Sequence, residues 1–461
     1  MLDLRLALLA AASTVLLSGC ASVSTGVEEA GTLAESSLPD IAPDWSMVQA
    51  EIVGEPVGWI SAFNDPVLER LVAEAQENNK DLALAAANVE QSRASAGLAS
   101  AALSPQVSAT AGTSGSGLVD GGGSTDMTLG VEGSWEVDLW GRLRSAEEGA
   151  ARSLEAAEAD FLFSQYSIAA SVANAYFLAI ESDRQLVLNQ SIVEALAETD
   201  RIVAVRFENG IGNAQDVALS RSNLASSRDD LIEVEGAKRD SLRALELLLG
   251  RYPAADLDVR PDLPAVPERP PIGIPSDILE RRPDLISAER QIAAAIAGVD
   301  EAKAAKLPSF SLTGSLGGAS DDLSNILNPS NLAWTAASSL VAPVIDGGAR
   351  DRQVDLAEAE VEAAVAEYAQ AALTAFSDVE GALDQEVVLR RREGELSLSA
   401  EQAREALRLA NLRYNEGETD LTDVLDFQNR VLSAESALIT VQRSQLSERL
   451  NLTLALGGSW E

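Results

Sequence analysis

The chain of 461 residues contains no histidine, one cysteine and three methionines. The lack of histidine excludes Ser-His-Asp triads, histidine general bases and most zinc sites. With Cys20 as the sole cysteine, no intramolecular disulfide can form, and soft-metal ligands are too few for a site. No phosphate-binding loop or dinucleotide fingerprint is present in the sequence. We therefore expect no catalytic residues, no metal site and no bound cofactor.

Proline is missing from two long stretches, between Pro105 and Pro253 and again after Pro343. The segment from Gly141 to Glu208 is rich in Ala, Leu, Glu, Arg and Ser, which predicts one helix of roughly 65 residues, about 100 Å long. Apolar residues recur at helical spacing in the second half: Val361, Val365, Tyr368, Ala372, Phe376, Val379, Leu383 and Val387. The intervening alanines suit a helix with several neighbours, and a two-stranded coiled coil is the alternative.

Basic residues are scarce, with 34 Lys and Arg against 72 Asp and Glu, for a net charge of −38. This charge argues against binding to nucleic acid or to anionic lipid. The acidity is compatible with a saline habitat as its main cause. Around a water-filled lumen, the same carboxylates would favour cations over anions.

The sequence repeats itself at an offset of 207 residues. Arg206-Phe207-Glu208-Asn209-Gly210 corresponds to Arg413-Tyr414-Asn415-Glu416-Gly417, and Asp216-Val217 corresponds to Asp423-Val424. A repeat of this length indicates duplication of a whole assembly of helices and strands rather than a short solenoid unit.

The period changes from helical to alternating just before each predicted long helix. Segments 106–112 and 127–139, and 309–314 and 332–345 in the second copy, alternate apolar and small polar residues, which predicts strands in hairpins. This alternation is typical of strands with lipid on one side and water on the other. Four strands are too few to close a barrel, so several identical chains would be needed.

The N-terminus predicts a signal peptide over residues 1–19. Its apolar stretch is too short to span a bilayer and ends in Leu17-Ser18-Gly19-Cys20, which resembles the lipobox of bacterial lipoproteins. Cys20 would then carry the lipid, and Ala21 after it favours the outer membrane by analogy with lipoprotein sorting. A buried structural cysteine is the alternative.

The predicted organisation has six parts. A lipidated linker over 20–58 follows the signal peptide, a first repeat covers 59–250, and a proline-rich connector covers 251–275. The second repeat covers 276–458, before a short end at 459–461. Each repeat is expected to contain a helix, two strands, a very long helix and a final helix, which gives a mainly α fold with a small β part.

Taken together, these features resemble the outer membrane factor family, the TolC-like channels, and within it the lipoprotein branch of efflux proteins. The resemblance rests on the lipobox, the duplicated layout and a set of motifs in order: 139–142, 345–348, 413–417, 422–426 and 455–460. It implies a homotrimer with a twelve-stranded outer-membrane β-barrel continued by a periplasmic α-helical barrel. It also implies a passive exit duct for small molecules delivered by a periplasmic adaptor and an inner-membrane exporter.

The resemblance also implies roles for residues at the two helix–helix turns. Gly210, Ile211, Gly212, Gly417 and Glu418 would form adaptor-docking tips, with Gly210 and Gly417 in the left-handed conformation. The periplasmic gate would consist of the residues Asp423, Asp426, Asp216 and Tyr414. The arginine that some relatives carry five residues after the tyrosine is Thr419 here, so no arginine latch is expected at that position. An N-cap at Asp423 followed by a solvated Asp426 is the alternative.

Two other classes of protein remain as alternatives. A periplasmic coiled-coil adaptor or structural lipoprotein would share the helices and the lipid, but such adaptors do not usually repeat the whole unit. A lipid-anchored hydrolase would need a nucleophile and base without histidine.

Overall fold

The computed structural model describes residues 26–46, 58–117 and 123–458, so the predicted signal peptide and Cys20 lie outside the described residues. The described chain forms two compact units. The sheet unit holds Ala87–Ala159, Ile286–Ala371 and the described residues up to Pro39. The helical unit holds the rest, including Asp160–Leu285 and the chain from Ala372 onward.

Both repeats contain the same order of helices and strands. After an N-terminal helix α1 (Gly26–Ser36), the first repeat consists of α2 (Pro66–Asn78), α3 (Lys80–Ala102), β1 (Gln106–Gly117), β2 (Gly123–Val137), α4 (Arg142–Glu208) and α5 (Ala214–Leu248). The second repeat consists of α6 (Asp277–Arg281), α7 (Pro283–Ala304), β3 (Ser309–Ser320), β4 (Leu332–Val341), α8 (Ala349–Glu416) and α9 (Leu421–Ala455). Short 3₁₀ turns lie at Ser61–Phe63 and Leu323–Asn325.

The two very long helices are confirmed, with 67 residues in α4 and 68 in α8. An aspartate caps the start of each one, because the Asp138 carboxylate accepts from the Leu143 and Arg144 amides and that of Asp346 accepts from the Gly348 and Arg350 amides. Every residue of the predicted apolar stripe on α8 is buried or half-buried. Among the described residues, no helix combines the length and the apolarity needed to cross a membrane.

The four strands form one antiparallel sheet in the order β1-β2-β3-β4. The register sorts the side chains by polarity, since neighbours across strands lie on the same face. One face carries apolar residues: Val107, Leu129, Val131, Trp135, Phe310, Leu312, Leu316, Leu332, Trp334 and Leu340. The opposite face carries polar or small ones: Ser108, Thr110, Glu132, Ser134, Ser311, Thr313, Ser315, Thr335 and Ser339. The predicted alternation is therefore confirmed.

The leading helix predicted for each repeat is instead two helices. In the first repeat the break falls at Asn79, whose side chain accepts from the Asp81 and Leu82 amides and so caps α3. In the second repeat the break falls at Arg282, before Pro283, because a residue that precedes proline disfavours the helical conformation. Both break residues bind the end of the final helix of their repeat, Asn79 at the Leu248 carbonyl and Arg282 at the Ala455 carbonyl.

The proline-rich connector between the repeats, all of it described, contains no helix or strand over 251–275. Arginines fasten it to carboxylates of the helical unit. Arg260 lies 3.1 Å from Asp65, which is fully buried and also caps α2, and Arg269 lies 2.9 Å from buried Glu386. Ion pairs therefore hold the extended connector to both repeats, to the first through Asp65 and to the second through Glu386.

The predicted N-terminal linker is wrong for part of its length, because residues 26–36 form helix α1. Its Ala30 and Ala34 are almost fully buried. Further along, Trp45 is 3% exposed, and its indole N–H donates to the Gly273 carbonyl at 3.1 Å. The buried side chains of Ala30, Ala34 and Trp45 therefore hold this segment in place, although its composition is typical of a linker.

Candidate functional site

The candidate site consists of two helix hairpins in the helical unit. Hairpin one joins α4 to α5 through residues 209–213, and hairpin two joins α8 to α9 through residues 417–420. Both turns close with the same pair of main-chain bonds. In hairpin one the Gly210 amide donates to Phe207 at 2.9 Å and the Ile211 amide to Arg206 at 2.9 Å. Gly417 and Glu418 donate to Tyr414 and Arg413 in hairpin two at 3.1 and 2.9 Å.

These paired bonds form a Schellman motif, which requires a left-handed residue after the helix. Gly210 has φ +73° and Gly417 has φ +80°, so the predicted left-handed conformation is confirmed at both turns. Gly212 is constrained differently, since a Cβ atom there would lie 3.2 Å from the Phe207 amide nitrogen. The main-chain geometry of the turns therefore accounts for these three glycines.

An apolar core holds the four helix ends together. It comprises the buried residues Leu188, Ile192, Leu196, Val203, Leu224, Ala410, Tyr414, Leu421, Val424, Leu425 and Ile439. These residues come from α4, α5, α8 and α9, so both hairpins share one core within the helical unit. Burial of Val424 and Leu425 leaves their neighbours Asp423 and Asp426 on the exposed side of α9.

The two hairpins are joined by Arg206, for which the sequence predicts no role. Its Nη1 donates to the Tyr414 carbonyl oxygen at 3.0 Å, and its guanidinium carbon lies 4.8 Å from the Tyr414 ring centroid. A charged hydrogen bond and a cation–π contact therefore act between the same two residues. Burial raises the pKa of Tyr414, Arg206 opposes this rise and Asp216 adds to it.

Asp216, which contributes to the raised pKa of Tyr414, lies at the start of α5. Its backbone N–H donates to Asn213 Oδ1 at 2.8 Å, and its carboxylate accepts from Asn213 Nδ2 at 3.0 Å. Asn213 is the N-cap of α5, so Asp216 is the acidic residue of that helix's first turn. Of the predicted gate residues, Asp216 and Tyr414 interact electrostatically within one chain, since the Asp216 carboxylate helps to raise the pKa of Tyr414.

Asp423 and Asp426 are both exposed on the first two turns of α9. The N-cap of α9 is Asp420, so the alternative that Asp423 caps the helix is wrong. Asp423 instead accepts a hydrogen bond from the Thr419 hydroxyl. The counterpart of Asp426 in hairpin one is Leu219, which packs against the shared core.

The remaining predicted tip residues lie at the surface. Ile211 is 71% exposed, and the exposed Glu418 carboxylate lies 3.8 Å from Arg413 Nε. The predicted lipidation site, Cys20, lies outside the described residues.

Comparison with known proteins assigns the chain to a family. The family model for outer membrane efflux proteins matches residues 71–251 and 274–458. The chain belongs to the outer membrane efflux protein family. It is 34% identical to the pyoverdine export outer membrane protein OpmQ of Pseudomonas putida, over 87% of this chain and 88% of the relative.

Two further similarities support this family. The chain is 29% identical to the cation efflux system protein CusC of Escherichia coli, over 88% of each chain. The solved structure of the outer-membrane channel OprN aligns with a TM-score of 0.81 and 30% identity, covering 92% of this chain and 98% of that one. The homologues are outer-membrane channel components of efflux systems, and the family is one of channel proteins.

Proposed function

We propose that this member of the family is a homotrimeric exit duct in the outer membrane, which receives small molecules from an inner-membrane pump through a periplasmic adaptor. The observation that supports it most is the two-faced sheet, in which β1 and β4 each have one edge that pairs with no strand of the described residues. In lipid, an unpaired strand edge is costly, because its main-chain groups have no hydrogen-bond partners there. Pairing β1 of one chain with β4 of the next satisfies both edges.

The polarity of the two faces supports the same arrangement. If three sheets close edge to edge, Leu316 and Trp334 on the apolar face meet lipid, while Ser315 and Thr335 on the polar face line a water-filled lumen. Such a lumen needs no catalytic residue, so we propose passive conduction rather than an enzymatic step. We propose that the pump determines which molecules are exported, since relatives with about the same identity to this chain are named for pyoverdine export and for cation efflux.

We propose that the two hairpins form the periplasmic end of the duct. Asp423 and Asp426 of three chains would ring the narrow lumen there, with Asp216 and Tyr414 behind them. The exposure of both aspartates supports their position at the lumen, and the burial of Tyr414 supports its position behind them. Because Arg206 holds Tyr414 by two contacts, we propose that it keeps the hairpins of one chain together in the closed gate.

We propose further that the exposed turns at 210–212 and 417–418 dock the adaptor. Arg substituted for Ile211 or for Glu418 should abolish export in cells while trimers persist, because neither side chain is buried. Ala substituted for Arg413, which is exposed in the last turn of α8, serves as the control. Unchanged drug resistance in both variants would count against docking at these turns.

Lipidation of Cys20 after removal of residues 1–19 completes the proposal. Acyl chains would add to membrane anchoring at about 0.8 kcal/mol per buried methylene. Labelled fatty acid should be incorporated into wild type and not into Cys20→Ser. Equal labelling of the two would refute the lipid anchor while leaving the channel intact.

The test of the main function is assembly and conductance. Purified full-length protein should run as heat-dissociable trimers and conduct ions in planar bilayers. A non-pore adaptor or structural lipoprotein, the second candidate class, would give oligomers without conductance. Monomeric protein or silent trimers across a range of voltages would overturn the exit-duct proposal.

A further inference from the structure

The connection between β3 and β4, residues 321–331 (the β3–β4 loop), folds back over the sheet. Its Ile326 is 3% exposed, although the loop residues on either side are exposed. A Cβ atom added at Gly318 would lie 2.1 Å from the Ile326 carbonyl oxygen and 3.3 Å from that of Asn331. Since no side chain fits in that space, only glycine at this position lets the loop main chain lie against β3.

The face on which the loop lies follows from the strand register. Side chains alternate along a strand, so Gly318 points to the same side as Leu316 and Leu312. It pairs with Leu129 on β2 and Leu332 on β4, which belong to that side too. The β3–β4 loop therefore covers part of the apolar face and not the polar one.

The loop is held in this conformation by its own hydrogen bonds. The Ser324 amide donates to Asp322 Oδ1 at 3.0 Å, the Asn328 amide to the Asn325 carbonyl at 3.0 Å, and Asn331 Nδ2 to the same carbonyl at 2.9 Å. These bonds pair some of the loop's polar groups with one another. Two large apolar side chains are left outside: Leu323 is 71% exposed and Leu327 is 68% exposed.

We infer that the β3–β4 loop is a lipid-contacting element, which directs Leu323 and Leu327 toward the acyl chains of the membrane. This inference rests on the proposed function, in which the apolar face is directed away from the lumen. A loop lying on that face is directed the same way, so it does not narrow the duct. Its leucines continue the surface of Leu316 and Trp334, and internal hydrogen bonding lowers the cost of placing its main chain in lipid.

Spin labels on the full-length trimer in phospholipid bilayers test this placement. Single labels are introduced by Leu323→Cys and Leu327→Cys, with Trp334→Cys as the lipid reference and Thr335→Cys, on the polar face of the same strand, as the aqueous reference. Wild type gives the background from Cys20. Labels at 323 and 327 should match position 334, with greater relaxation by oxygen, which partitions into lipid, than by a water-soluble nickel chelate. The label at 335 should show the reverse.

A glycine pair provides a matched structural control. Gly318→Ala should displace the loop and shift the label at 327 toward the nickel chelate. Gly314→Ala on the same face should not, because a Cβ there meets only the Thr335 carbonyl oxygen at 3.7 Å.

Three results would overturn the inference. If the labels at 323 and 327 behave like the one at 335 while position 334 contacts lipid, the loop lies in water and the proposed function still holds. Shielding of both labels from both reagents would place the loop against a neighbouring protomer. Exposure of position 334 to the nickel chelate would refute the lipid-facing sheet itself, and the inference with it.

Discussion

The two helix hairpins share a main-chain conformation and differ in the side chains that follow it. Both turns close with the same Schellman bonds around Gly210 and Gly417. Beyond the turn, hairpin one places Leu219 against the shared core, whereas hairpin two places Asp426 in solvent at the corresponding position. Duplication thus kept the turn, which needs glycine for geometric reasons, and let the following helix diverge into an apolar support and an acidic surface.

The contact between the hairpins is equally asymmetric. Arg206 of hairpin one reaches the carbonyl and ring of Tyr414 in hairpin two. The corresponding Arg413 lies near Glu418 of its own turn, with both side chains 62% exposed. Since exposed ion pairs contribute little, only one of the two arginines ties the hairpins together.

The largest expected effect comes from exchanging the residues that differ after the turns. Leu219→Asp should lower the local free energy of unfolding by about 2 kcal/mol, because it removes apolar contacts and places a charge beside the core. Asp426→Leu should be nearly neutral, since that position is exposed. Hydrogen exchange at the ends of α4, α5, α8 and α9 measures both. Equal destabilisation by the two exchanges would mean that the asymmetry has no energetic basis.

The second-largest effect is expected from removing Arg206, the arginine that joins the hairpins. Arg206→Ala should raise the open fraction of single channels by about five- to thirtyfold, from a loss of about 1–2 kcal/mol in charged hydrogen bonding and cation–π contact. Arg413→Ala is the matched control and should leave gating unchanged. Tyr414→Phe should also have little effect, because Arg206 contacts the carbonyl and the ring rather than the hydroxyl. If Arg413→Ala opens the channel equally, the contact with Tyr414 is not the latch.

The acidic surface itself should have a smaller effect, on ion preference. Carboxylates that line a lumen favour cations over anions, and salt screens part of this attraction where the side chains are exposed. Asp423→Ala combined with Asp426→Ala should therefore reduce cation preference several-fold and relieve block by divalent cations in planar bilayers. Asp216→Ala should change both the ion preference and the block less, because Asp216 is half-buried. A double variant that conducts and blocks like wild type would place the gate elsewhere.

The smallest expected difference lies at the helix caps. Asn213→Ala should destabilise the start of α5 by about 1 kcal/mol, because its side chain accepts from the Asp216 amide at 2.8 Å. Asp420→Ala should cost less, because the Asp420 side chain forms no capping bond in α9. Amide exchange in the first turns of the two helices compares the two changes directly. A larger loss at Asp420 would reverse the assignment of the caps.

Periodicity predicted most of the fold. The long helices, the strand alternation and the left-handed glycines each follow from local rules, and the structure agrees with them. The break at Asn79 and the helix at 26–36 were not predicted. At Asn79 a side-chain cap interrupts a sequence that otherwise favours a helix. In the helix at 26–36, tertiary burial of the small residues Ala30 and Ala34 stabilises a segment whose composition is typical of a linker.

The contact of Arg206 could not be predicted for a different reason. Arg206 and Arg413 occupy equivalent positions in the two repeats, so the sequence alone does not distinguish the arginine that crosses between hairpins from the one that stays on its own turn. Only the packing of Tyr414 in the shared core decides it. One signal was available: the aromatic residue after each arginine is Phe207 in one repeat and Tyr414 in the other, which marks the two turns as different.

The unpaired edges of β1 and β4 have a consequence for how such a protein is made in the cell. Until three copies meet, each chain presents two strand edges that can pair with any available strand, including those of a related channel produced at the same time. Main-chain hydrogen bonds do not distinguish one sequence from another. Correct partner choice must therefore depend on side chains along these edges, among them Val107 and Trp334, and on how soon assembly follows synthesis.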